Sequence, residues 1–151
     1  MLIGHIAISL LENRYLKADL APVLIAGMAP DILDKTLCQV LHLMPSGRMA
    51  GHTLLGLALS TGLIALVWGR RAAWSWALGY VSHLIADGAG VPWLYPFIHY
   101  HFEPSPGLWE NLLRYLSSPL KLLPELILCL WAGLSTYLSP LPSSQLTNRD
   151  S

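Results

Sequence analysis

The 151-residue chain predicts an all-α fold: a small multi-helix bundle of two helical hairpins plus a C-terminal helix, crossing a membrane several times. Three observations predict it. The chain is 54% hydrophobic and 12% charged, with a mean hydropathy of +0.49, whereas soluble domains carry roughly 25% charged residues. Apolar stretches recur along the chain, separated by short connections that hold its Gly, Pro and charged residues. No stretch shows the strict apolar–polar alternation of a half-buried strand. A soluble bundle with buried apolar helices is the competing reading of the same composition.

The length fits one domain, taken as 1–138, with a polar, proline-rich tail at 139–151 that is expected to be disordered. Net charge is zero, which removes the electrostatic case for binding nucleic acid. The expected partners are membrane lipids and a small-molecule or lipid substrate. Cys38 and Cys129 lie in apolar helical contexts and read as buried free thiols. Met1–Leu11 is apolar, but no basic segment precedes it and Glu12-Asn13-Arg14 follows at once, so it reads as part of the mature chain rather than a signal peptide.

Leu2–Leu16 forms the first predicted helix, with His5 near its start and Glu12, Arg14 and Lys17 at its end. Leu20–Met28 follows, with Pro22 in the first turn, where proline is tolerated, and an expected stop at Ala29-Pro30. Asp31 is placed as the N-cap of a third helix, Ile32–Leu43, which Pro45-Ser-Gly47 ends. Thr53–Trp68 is the strongest apolar run. At 1.5 Å per residue it is about 24 Å long, against a bilayer core of about 30 Å. Gly69-Arg70-Arg71 makes a tight basic turn, and Ala72–Asp87 runs back, with Trp74 and Trp76 beside the basic residues as at a membrane interface. Gly88–Pro106 is a loop rich in Gly, Pro and aromatics; Pro92–Phe102 within it suits a lipid-facing entrance. Leu108–Leu116 reads as a short amphipathic helix and Leu120–Leu138 as the last apolar one.

This topology gathers polar groups at one end. The turn at residues 69–71 makes its two helices antiparallel neighbours, which brings His52, before the first, level with His83 and Asp87, at the end of the second. His83 and Asp87 are four residues apart, on one helical face. The N-terminal hairpin repeats the pattern, with His5 at its start and Asp31 at its finish. If the hairpins pack in parallel, His5, Asp31, His52, His83 and Asp87 meet in one layer. Three imidazoles and two carboxylates are a ligand set for zinc, or for iron or manganese. Each residue also has a plainer reading: Asp31 as a helix cap, Asp34-Lys35 as a solvated helix start, His83 and Asp87 as a hydrogen-bonded pair. His42, His99 and His101 are read as ordinary core histidines, the last two also suiting a pocket mouth. Arg14, Lys17, Arg70 and Arg71 gather at the hairpin turns, which the positive-inside rule assigns to the cytoplasm, although Lys35, Arg48, Arg114 and Lys121 nearly balance them.

The motifs Gly4-His5, Pro30-Asp31-Ile-Leu-Asp34-Lys35, Gly47-Arg48, His52-Thr53-Leu-Leu, Gly79-Tyr-Val-Ser-His83-Leu-Ile-Ala-Asp87 and Trp93…Pro96, in that order over Leu2–Phe97, resemble the bacterial and archaeal family of membrane-bound, predicted metal-dependent hydrolases. The resemblance implies a small multi-pass protein of the inner (cytoplasmic) membrane. It also implies a polar signature on His5, Asp31, Arg48, His52, His83 and Asp87. Two departures stand out. The second carboxylate of the Pro-Asp motif falls one place late, at Asp34, and the His expected beside Arg48 is missing, which leaves the number of cations, one or two, open. The His/Asp set is also similar in type to that of zinc-dependent phospholipases C. On this footing the expected roles are metal binding by His5, Asp31, His52, His83 and Asp87, with Asp34 as bridging ligand or general base. Arg48 would contact an anionic substrate oxygen such as a phosphate. The alternative is a non-catalytic membrane protein that uses the same residues as a structural metal or polar cluster, in partner binding or ion transport.

Overall fold

The computed structural model describes residues 3–88, 90–104 and 106–138, so the tail expected at 139–151 lies outside the described residues. These residues are helical and irregular, with no strand among them. The helices are α1 (Gly4–Leu16), α2 (Leu20–Lys35), α3 (Leu54–Asp87), α4 (Leu108–Leu116) and α5 (Pro119–Tyr137).

Two features of the N-terminal half differ from expectation. Pro30 does not end α2, which runs on to Lys35, and the expected helix Ile32–Leu43 is replaced by the rest of α2 and a π-helical turn, Thr36–Val40. Proline cannot donate to the carbonyl four residues before it. Pro30 is nevertheless fully buried, and tertiary packing holds the helix through it. The carbonyl of Gly27, three residues earlier, accepts a side-chain hydrogen bond from His83 across the bundle at 2.8 Å. Asp31 is therefore not a cap. It lies inside α2 and pairs with Lys35, one turn on, at 2.6 Å.

The expected second hairpin is present as α3 with a reversal inside it. Gly69 has φ 83° and ψ 175°, a conformation that glycine adopts at no steric cost. Residues 54–68 and 70–87 are consequently two arms that fold against each other. Trp76 Nε1 donates to Ser60 Oγ at 3.0 Å, and the Tyr80 hydroxyl donates to the Gly51 carbonyl, just before the first arm. Thr53 caps that arm by accepting from the Gly56 N–H at 2.8 Å.

The two hairpins pack in parallel. At the turn end, Arg71 pairs with Asp19 at 3.0 Å, and the Asp19 N–H donates to Ser75 Oγ at 2.8 Å. Between the ends the backbones approach closely. A Cβ on Gly79 would lie 2.3 Å from the Val23 carbonyl oxygen, and one on Gly27 would lie 2.8 Å from Ser9 Oγ. Ser9 in turn donates to the carbonyls of His5 and Val23, at 3.0 and 3.3 Å. Small residues and hydroxyls at helix crossings are how helices pack where lipid offers no hydrophobic drive.

α5 runs beside α1 in the same direction. The Ile3 N–H donates to Glu125 Oε2 at 3.4 Å near one end, and Tyr15 and Ser135 share a hydrogen bond of 3.1 Å near the other. Ala7, Leu11 and Ala132 form the core of this contact. The outer surface is apolar: Leu66 is 87% exposed, Leu120 83% and Leu130 65%. A soluble bundle would bury such side chains, at about 1.5–3 kcal/mol each. By length and composition, Leu54–Asp87 qualifies as a membrane span and Leu122–Tyr137 is a shorter apolar helix. Folded back at Gly69, the α3 arms are about 22 and 27 Å long, close to but under the core thickness of about 30 Å.

Candidate metal centre

The open ends of the two hairpins bring Asp31, His52, His83 and Asp87 together, with one ligand atom from each inside a cluster no wider than 4.8 Å. His52 comes from the residue before the Thr53 cap, His83 and Asp87 from the last turn and a half of α3, and Asp31 from the continuation of α2 past Pro30.

The hydrogen bonds around the two imidazoles fix their tautomers. His83 Nδ1 lies 2.8 Å from the Gly27 carbonyl, which can only accept, so Nδ1 carries the proton and Nε2 is left with its lone pair. His52 Nδ1 lies 2.8 Å from Asp34 Oδ2. Asp34 is fully buried and also accepts from the Met49 N–H at 2.6 Å and the Gly51 N–H at 2.7 Å, as a carboxylate does. His52 Nδ1 is thus the donor, and its Nε2 is also bare whenever His52 is neutral. The two bare nitrogens face each other at 3.2 Å. Asp87 Oδ2 lies 3.3 Å from His52 Nε2, and Asp31 Oδ1 lies 3.6 Å from it.

Two buried lone pairs this close, flanked by two carboxylates, require a shared cation. A proton on His52 is one solution. Burial alone would lower the His52 pKa, but its hydrogen bonds to Asp34 and Asp87 outweigh that and raise it above the ordinary imidazole value. A divalent metal is the other. Two nitrogens bound tetrahedrally at 2.0–2.1 Å sit about 3.3 Å apart, which matches both the 3.2 Å His52–His83 and the 3.3 Å His52–Asp87 separations. Asp34 and the Gly27 carbonyl then hold the far side of each imidazole, the arrangement that orients metal-ligating histidines.

The remaining expected site residues fall around this cluster. His5 is buried and stacks on His83, with ring centroids 4.1 Å apart and 28° between planes. Its Nε2 is 3.6 Å from Asp87 Oδ1, and neither ring nitrogen has a hydrogen-bond partner among the described residues. It stands beside the four-residue group rather than in it. Asp34, expected as bridging ligand or base, lies behind His52, where its oxygens hold backbone and imidazole instead of facing the cluster. Arg48 is half-exposed and reaches Asp87 Oδ2 at 2.9 Å, where the cluster meets solvent. His42, His99 and His101 are exposed, which corrects their reading as core histidines. The Gly27 carbonyl and the Ser9 and Tyr80 hydroxyls, which brace the site, did not stand out in the sequence.

No match was found among curated proteins, and none among solved structures. The family model for the YdjM inner membrane protein matches residues 1–140, the whole of the fold and the cluster just described. With that match extending over nearly all its length, the chain belongs to the YdjM inner membrane protein family.

Proposed function

We infer that the protein is a multi-pass, membrane-embedded metal-dependent hydrolase whose centre is held by His52, His83, Asp87 and Asp31. The observation that carries this reading is the pair of Nε2 atoms facing each other at 3.2 Å, with each ring held through its Nδ1 by an acceptor. Zinc suits the mixed nitrogen–oxygen donors, with iron or manganese as the other candidates. When bound, such a cation supplies Lewis acidity to water and to the scissile group. The chain's own residues do the rest. Asp34 keeps His52 in the tautomer that presents Nε2. Gly27 does the same for His83 through its carbonyl. Arg48, half in solvent at the mouth, offers a planar pair of donors to an anionic oxygen, which favours a phosphoester, free or lipid-linked. His5, a buried imidazole 3.6 Å from Asp87 and outside the four-residue group, is placed to hold or move a proton there.

A second reading has its own support. Four donors are enough to close a tetrahedral shell, and a closed shell is the mark of a structural site, whereas a catalytic one keeps a position for water. The same cluster would then be a structural metal or polar centre of a non-catalytic membrane protein. Cobalt-loaded protein separates the two. A catalytic centre gives a visible spectrum that shifts when a small anion such as azide is added, and the metal-loaded protein cleaves members of a phosphoester panel that includes phospholipids. An anion-insensitive spectrum with no turnover of any substrate would place the structural reading first.

A further inference from the structure

Among the helices, α4 is too short to cross a bilayer, about 14 Å against about 30 Å, and it leaves its apolar side uncovered. Trp109, Leu112, Leu113 and Leu116 follow the i, i+3, i+4, i+7 spacing of one helical face. Trp109 is 71% exposed, Leu113 52% and Leu116 53%. Glu110 and Arg114 lie on the polar side, where Arg114 Nη2 donates to Glu110 Oε1 at 2.6 Å. Directly before the helix, the loop holds Tyr95, Phe97, Tyr100 and Phe102, and Phe97 is 77% exposed.

The position of this segment is set by its anchors. The loop is tied to the start of α3 by the Leu54 N–H donating to the Trp93 carbonyl at 2.9 Å, and to the π-helical turn by Gln39 Nε2 donating to the Pro106 carbonyl at 3.4 Å. α4 leads directly into α5, whose first half is level with Ile3 and therefore with the His5 end of α1. The aromatic loop and α4 thus lie at the same end of the bundle as the metal cluster.

We propose that the apolar face of α4, with the aromatic loop before it, lies in the plane of the membrane and docks into the boundary between lipid headgroups and acyl chains. The occupant is lipid because the face is continuous with the apolar outer surface of α5, where Leu120, Leu123 and Leu130 are also exposed. Its polar side carries an internally balanced ion pair that faces water without loss. Tryptophan and tyrosine gathered at one level are the composition of an interfacial belt. This anchoring holds the metal-cluster end of the bundle at headgroup depth, and it stands whether or not that cluster is catalytic.

The test uses the full chain reconstituted in phosphatidylethanolamine–phosphatidylglycerol vesicles, with Cys38→Ala and Cys129→Ala as background. Single cysteines at Trp109→Cys, Leu113→Cys, Glu110→Cys and Arg114→Cys carry an environment-sensitive fluorophore. Labels at 109 and 113 are expected to be quenched by lipids bearing a nitroxide near the headgroup and to lose iodide quenching several-fold relative to labels at 110 and 114. Equal iodide access at all four positions would overturn the proposal. So would shielding of 109 and 113 from both quenchers with disulfide cross-linking between copies, which would assign the face to a second copy of the chain. Where the Trp109 variant fails to insert, Leu116→Cys beside Arg114→Cys makes the same comparison.

Discussion

Replacing Asp34 with Asn changes no volume and leaves the four cluster residues untouched, yet it is predicted to weaken metal binding strongly. Asp34 accepts three hydrogen bonds: from Met49 N–H and His52 Nδ1 at Oδ2, and from Gly51 N–H at Oδ1. An amide has one oxygen and one NH2. With its oxygen toward Gly51, the NH2 meets the Met49 N–H donor to donor and can satisfy His52 only by donating to Nδ1. That moves the imidazole proton to Nε2, the atom that faces the cluster. With the amide reversed, His52 keeps its tautomer, but the Gly51 N–H is left facing a donor. Either arrangement strands a buried N–H, at about 1–3 kcal/mol. Loss of an orienting partner of this kind typically costs 10–100-fold in metal affinity, which is about 1.4–2.7 kcal/mol at 1.36 kcal/mol per tenfold. The assay is a competitive titration of zinc against a fluorescent chelator in detergent, beside a thermal unfolding scan of the metal-free protein. A variant that unfolds like the parent and binds zinc within twofold of it would refute the reasoning about tautomers.

Three further outcomes follow from other parts of the structure. Gly79→Ala places a methyl 2.3 Å from the Val23 carbonyl oxygen, so the hairpins must separate, and unfolding in detergent is expected about 1–3 kcal/mol earlier; unchanged stability would show that the approach of α2 and α3 is looser than described. His52 gives a pH dependence of definite sign. Its folded pKa is raised above the ordinary value, so in metal-free protein its ionic contribution is full below the unfolded imidazole pKa of about 6.5 and is lost as pH rises through the folded pKa. Metal must displace that proton, so affinity falls as pH drops through the same range, and a flat affinity profile across it would contradict the assignment. Arg48→Ala frees Asp87 of a half-exposed partner, so metal binding is expected to hold; where an anionic substrate is found, KM should rise about tenfold, the lower end of a charged hydrogen bond. An unchanged KM would remove Arg48 from substrate binding.

The helical class and the hairpin arrangement were legible because apolar run length and short connections dominate a sequence with 12% charged residues. The meeting of Asp31, His52, His83 and Asp87 was legible from the same topology, since both hairpins open toward one end. What was not legible depends on Pro30. Its local preference is to end a helix, and tertiary burial overrides that preference here. Once α2 continues, Asp31 and Asp34 are one turn apart on a single helix, about 60° apart around its axis. One faces the cluster, and the other passes behind His52. Period alone could not tell which carboxylate would be the ligand. His5 shows a similar limit: the topology put it at the right level, but its stacking on His83 is a rotational detail of α1 set by the contacts of Ser9 with α2. The exposed His42, His99 and His101 lie outside the long apolar helices, where hydropathy carries no information on burial.

The central claim is that His52, His83, Asp87 and Asp31 hold a divalent metal. Its most direct test is elemental analysis of purified, zinc-loaded wild-type protein beside a folded His83→Ala, Asp87→Ala double variant, both passed over the same chelating resin. Stoichiometric zinc is expected to stay with the wild type and none with the variant. Equal metal content in the two, or no retained zinc in either, would contradict it.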